Sequence, residues 1–205
     1  MVFSCHILRP THSLLLFLTL SGTLYAQSAE DIRQRTSALV PALGETHDIK
    51  MLNIAGPSLH SLPIDKAIYT TQMEFVEKTK RKNNLENKVK FSVVLTLFVF
   101  ETTEDRDWAL KSFFRSFFDA GSLRPGRDVK TLTGLSPGIV CINSHSISIL
   151  TIPCAQYDAL AFRDWRKMLL TYFGEEASTV VDIDGCDGPI VWTKNPPHPS
   201  DRRWK

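Results

Sequence analysis

The run from Lys88 to Thr103, KVKFSVVLTLFVFETT, limits what this chain can fold into more than any other stretch. Val, Phe and Thr dominate it and neither Gly nor Pro interrupts it, which predicts a β-strand. Its apolar residues fall on both faces. Phe91, Val93, Leu95, Leu97 and Val99 line one, and Val94, Phe98 and Phe100 line the other. A half-buried strand alternates apolar with polar, whereas a strand apolar on both sides requires cover on both sides. Residues 88–100 are therefore expected at the centre of a layered domain.

The flanking patterns build outward from this strand. Residues 64–79 mix helical and alternating signals. The β-rich Ile68-Tyr69-Thr70-Thr71 and the alternation of Tyr69, Thr71, Met73 and Phe75 favour a strand paired antiparallel with the central one. After the central strand, Thr102 stands three residues before Asp105 in a capping-box arrangement. Leu110, Phe113, Phe114, Phe117 and Phe118 then recur at helical spacing behind Trp108, and Gly121 stops the helix. Residues 138–142 and 147–152 form a hairpin about Asn143-Ser-His-Ser146. Pro153 opens a second helix with Tyr157, Ala161, Trp165, Met168 and Tyr172 on one stripe, closed by Gly174. A turn-rich stretch leads to a short edge strand over 189–193. Residues 27–62 read as mostly irregular, with a short helix from Ser28 to Leu39 that Ser28 caps and Pro41 and Gly44 end.

From residue 88 to 193 the order is β-α-β-β-α-β. It resembles the ferredoxin-like split βαβ arrangement, here with an irregular N-terminal extension that adds a strand or helix. The resemblance is one of topology, carries no family motif, and implies an α+β class but no function.

The first 26 residues have the layout of a secretory signal peptide. Arg9 is their single charge, Leu14–Leu20 is an apolar core, and small residues lead to Ala26. The core is too short for a stable membrane anchor. Removal leaves 179 of the 205 residues, with 23 basic against 22 acidic side chains. That length suits a single domain over 27–194, followed by an extended Pro-rich tail over 195–205. The near-neutral balance gives no reason to expect nucleic acid as a partner.

The motifs that suggest chemistry fail on their own requirements. Gly134-Leu-Ser136-Pro-Gly138 matches the G-x-S-x-G nucleophile elbow. The elbow needs a strand before Ser136, a helix after it, and an oxyanion-hole N–H on the next residue. That residue is Pro137, which has none. Asp182, Asp184 and Asp187 suggest a calcium loop, but an EF-hand register from Asp182 puts Cys186 at position 5, Asp187 at 6 and Thr193 at 12. These three aspartates are the residual cation-site candidates, and a turn before an edge strand explains them more simply. The mature histidines share no ligand spacing, and no phosphate loop or dinucleotide fingerprint occurs, so no cofactor is expected.

Cleavage would remove Cys5 and leave Cys141, Cys154 and Cys186, an odd number for an oxidising compartment. If the hairpin turns about Ser144-His145, Cys141 lies opposite Ser148. Cys154 is then six residues further along, ~20 Å at strand rise, and a disulfide tolerates Cα separations of only ~7 Å. The hairpin and a Cys141–Cys154 bond are mutually exclusive. Cys154 at the start of a helix would be the candidate reactive thiol. Two functional classes follow: a secreted or periplasmic non-catalytic binding or assembly module, or a single-thiol redox enzyme using Cys154. In the first, Val94, Phe98 and Phe100 form an open sheet face, covered either by the N-terminal segment or by a protein partner or second copy.

Overall fold

A computed structural model describes residues 28–54, 62, 65–82, 86–117, 136–175, 178–186, 188 and 190–194, and the side chains of 111–117 and 192–194 are not described. The signal-peptide reading, the 195–205 tail and Asp187 lie outside the described residues. The elements are α1 (Ala29–Gly44), β1 (His47–Leu52), β2 (Ala67–Lys82), β3 (Lys88–Phe100), α2 (Thr103–Phe117), β4 (Gly138–Ile142), β5 (Ser146–Thr151), α3 (Ala159–Phe173), β6 (Thr179–Ile183) and β7 (Ile190–Lys194). A 3₁₀ turn over Cys154–Gln156 precedes α3. The chain is α+β: one seven-stranded sheet of order β1-β2-β3-β5-β4-β6-β7, antiparallel at every pairing, with helices on both faces. No helix among the described residues is long and apolar enough to cross a membrane.

The two-faced strand sits where its composition requires. Phe91, Val93, Leu95, Leu97 and Val99 enter one core with Ile32 and Leu39 of α1 and Phe162, Trp165, Leu169 and Phe173 of α3. Phe98 and Phe100 enter a second core with Ala109 and Leu110 of α2, Leu62, and residues of β4 to β7. Phe98 is 2% and Phe100 1% exposed, and burial of each such side chain contributes roughly 1.5–3 kcal/mol. Val94 is half-buried. The strand expected over 64–79 is β2, in antiparallel register with β3 from Ala67↔Phe100 to Lys82↔Lys88. The hairpin register also holds, with Cys141 opposite Ser148.

The sheet order departs from the ferredoxin-like one. In that arrangement the last strand returns to lie beside the first strand of the unit. Here β2 already occupies that side of β3, and β6 pairs with β4 at the other end. This moves a helix. The connections β3-α2-β4 and β5-α3-β6 each skip one strand and advance the same way across the sheet, but they start from antiparallel strands. If both crossovers are right-handed, α2 and α3 must lie on opposite faces, as their two cores show. A ferredoxin-like unit would have placed them together and left the Phe98 face bare.

Three local expectations also change. β1 and β6 fall in stretches read as irregular or turn-rich. Their signals are short: alternation over HDIKML and the β-branched TVVDI. α1 runs through Pro41 to Gly44, with Pro41 exposed. Lys78 Nζ donates to the carbonyl of Gly44 at 2.6 Å and closes the helix end. The second helix begins at Ala159, where the Asp158 carboxylate accepts from the Ala161 N–H at 2.8 Å. Cys154 therefore lies in the separate 3₁₀ turn and not at an α-helix N-terminus. The Ser28 cap is as expected, its hydroxyl accepting from the Asp31 N–H at 3.1 Å.

Candidate functional site

Ser136, Cys154, Asp182 and Asp184, four of the residues singled out for chemistry, have defined structural surroundings. Ser136 precedes β4 directly, so a strand follows it where the nucleophile elbow needs a helix. The Pro137 carbonyl accepts from Ile152 N–H at 2.9 Å, and Gly138 packs so closely on β5 that a Cβ there would lie 2.8 Å from the Leu150 carbonyl oxygen. The described part of the motif, Ser136 to Gly138, is locked onto the hairpin. Cys154 is bonded to Cys186 across 32 residues, with Cα atoms 5.6 Å apart, so in this state it offers no thiol to a single-thiol redox mechanism. The bond ties the 3₁₀ turn to the β6–β7 connection, and both cysteines are exposed. Cys141 is the free cysteine among the described residues. It is fully buried, and burial pushes its thiol up to about 12, which makes it inert near neutral pH.

Two of the three candidate aspartates, Asp182 and Asp184, are engaged by other side chains. Both carboxylate oxygens of Asp182, on β6, accept from Arg166 Nε of α3, at 2.9 and 3.0 Å, in a largely buried pair. Asp184 accepts from the Tyr157 hydroxyl. Among the described residues no group of three His, Cys, Asp or Glu converges as metal ligands would.

Among the described residues, a cleft lies on the α1/α3 face, beside an irregularity in β2. The β2–β3 register shifts between Val76↔Ser92 and Lys80↔Lys90, so Glu77, Lys78 and Thr79 of β2 oppose Phe91 alone. Such bulges re-aim side chains. Here Glu77 and Arg81 turn toward His47 of β1, and with Asp164, Trp165 and Leu43 they line a cleft of about 210 Å³. Arg81 is held on three sides. It forms a two-pronged pair with Glu77, its Nη1 lies 3.7 Å from Asp158, and its guanidinium stacks on Phe91 at 4.2 Å. His47 stands edge-on to Trp165, ring centroids 5.4 Å apart.

The protonation of His47 follows from its neighbours. The Thr46 hydroxyl donates to the Leu43 carbonyl at 3.2 Å, so its oxygen is left to accept from His47 Nδ1 at 2.8 Å. The proton then sits on Nδ1, and Nε2 is a buried lone pair without a hydrogen-bond partner. Burial holds the pKa of His47 below its ordinary value against the opposing pull of Glu77. The half-buried imidazole forms one wall of the cleft. The cleft is smaller than the ~300–1,000 Å³ of ordinary small-molecule sites.

A second polar cluster escaped the sequence reading altogether. Asn143, 2% exposed, donates to Ser146 Oγ at 2.9 Å and to the Phe173 carbonyl at 2.6 Å, and accepts from Ser178 Oγ at 2.5 Å. Glu175 accepts from the Ser144 N–H and hydroxyl, while Arg106 Nη1 donates to the carbonyls of Asn143 and Ser144. The cluster pins the β4–β5 turn to the end of α3 and the start of α2. Its members come from three regions far apart in the sequence, the start of α2, the β4–β5 turn and the residues at and after the end of α3, so no sequence spacing announces it. Nothing in it is a free reactive group. No family model, no curated protein and no solved structure matches this chain.

Proposed function

We propose that this chain is an exported, disulfide-bonded binding or assembly module without catalytic chemistry of its own. The Cys154–Cys186 bond carries the reading, because such a bond persists in oxidising compartments and is rare where thiols are kept reduced. It agrees with the secretory layout of residues 1–26. Two side chains that would support an enzyme are otherwise occupied: Cys154 by Cys186 and Asp182 by Arg166. Recognition is assigned to protein surfaces, with the His47–Arg81 cleft sized for one partner side chain.

Intact-mass analysis of protein recovered from its native source tests this directly. The expected species begins near Gln27 and is two hydrogens lighter than its fully reduced form, with Cys154 and Cys186 joined in the peptide map. A full-length chain recovered from cytosol with both cysteines alkylatable would refute export. Labelling of Ser136 by a fluorophosphonate would refute the non-catalytic reading.

A further inference from the structure

β1 is the terminal strand of the sheet, and no strand among the described residues pairs on its far side. An open edge is a template for another strand, and proteins commonly guard it with charges. The charges on β1 are of opposite sign and spaced by two, Asp48 and Lys50, on either side of Ile49. We propose that β1 is a self-complementary edge that joins two copies of this chain through an antiparallel β1–β1′ ladder centred on Ile49. The inference goes beyond export, since a cytosolic dimer and an exported monomer are both physically coherent.

The register follows from symmetry and charge. A two-fold axis normal to the sheet requires opposing residues to point to the same face, so residues of like parity must face one another. Centring on Ile49 sets Asp48 against Lys50′ and Lys50 against Asp48′. The neighbouring symmetric registers oppose Asp48 to Asp48′ or Lys50 to Lys50′, which is repulsive. One register is therefore selected over its neighbours.

The same register sets Met51 against His47′. Met51 is 65% exposed, the most exposed large apolar side chain described, and the ladder would cover it with an aromatic edge. The existing partners of the two charges do not compete strongly. Lys50 lies 3.6 Å from Glu74 and Asp48 3.8 Å from Lys90, and the Lys50 and Asp48 side chains are themselves 65% and 55% exposed. A ladder of residues 47–51 on each strand is a small interface, so the association is weak and concentration-dependent.

Sedimentation velocity of the whole purified protein, from about 5 to 300 µM, reads the equilibrium in the range expected for a weak contact. The mass should rise toward a dimer with concentration. Lys50→Asp and Asp48→Lys should each weaken self-association at least about tenfold by opposing like charges. An equimolar mixture of the two variants should associate again, because each chain then offers the other one sign throughout. The doubly exchanged chain, Asp48→Lys with Lys50→Asp, should recover wild-type association and serves if either single variant fails to fold. Circular dichroism verifies folding. A wild-type chain that stays monomeric throughout, single variants that dimerise like wild type, or a mixture no stronger than its components would each overturn the proposal.

Discussion

Replacing Arg166 with methionine strands the Asp182 carboxylate inside the protein. The pair joins α3 to β6, with side-chain exposures of 16% for Arg166 and 6% for Asp182. Removing one member of a buried pair costs ~3–5 kcal/mol, because the other charge is left without compensation. Arg166 retains some contact with water, which places the loss near the lower end, ~3 kcal/mol, or a fall in Tm of about 6–12 °C for a domain of this size. The loss should depend on pH. Burial raises the pKa of Asp182 and Arg166 opposes that rise. Without Arg166 the folded-state pKa climbs further above the unfolded value of ~3.9, so the folded protein binds the extra proton between the two. Stability that is present at low pH is lost as pH rises through the folded pKa. The deficit of Arg166→Met should therefore be full at pH 7 and should shrink toward about pH 4.5. Urea unfolding at both pH values, without reductant, measures it. Arg166→Met with Asp182→Leu, which removes both charges, should return to within ~1 kcal/mol of wild type at pH 7. A single variant that loses less than ~1 kcal/mol, or loses the same at both pH values, would refute the view that a stranded carboxylate sets the cost.

Two further outcomes follow from the same structure. Replacing Cys154 and Cys186 together with alanine opens a cross-link spanning 32 residues. It should cost roughly 3–4 kcal/mol by loop entropy, read as a shift in the urea midpoint; a loss under ~1 kcal/mol would mean that the bond does not constrain the unfolded chain. Ser136→Ala should change stability by no more than ~0.5 kcal/mol, whereas Gly138→Ala should cost ~1–3 kcal/mol because its methyl would meet the Leu150 carbonyl 2.8 Å away. Equal effects of the two in thermal unfolding would contradict the structural reading of this turn.

The sequence by itself determined the pieces whose signal is local. The two apolar faces of β3, the hairpin with Cys141 opposite Ser148, the Ser28 cap and the strand character of 64–79 are written in side-chain period, turn residues and capping groups within a few positions of one another. The failure of the Ser136 motif was legible for the same reason, since Pro137 lacks the N–H that chemistry would need. The tertiary structure decided everything that depends on which segment reaches a place first. β2 takes the side of β3 that a ferredoxin-like unit reserves for its last strand. That sends β6 to β4, puts α2 and α3 on opposite faces, and covers Phe98 and Phe100 from within the chain. The same long-range closure brings Cys154 to Cys186, Arg166 to Asp182, and His47 to Glu77 and Arg81. Period and propensity record how each residue meets its immediate neighbours and whether it is buried. They carry no information about which of several equally apolar strands closes beside another, because that choice is made by packing and chain connectivity over the whole domain.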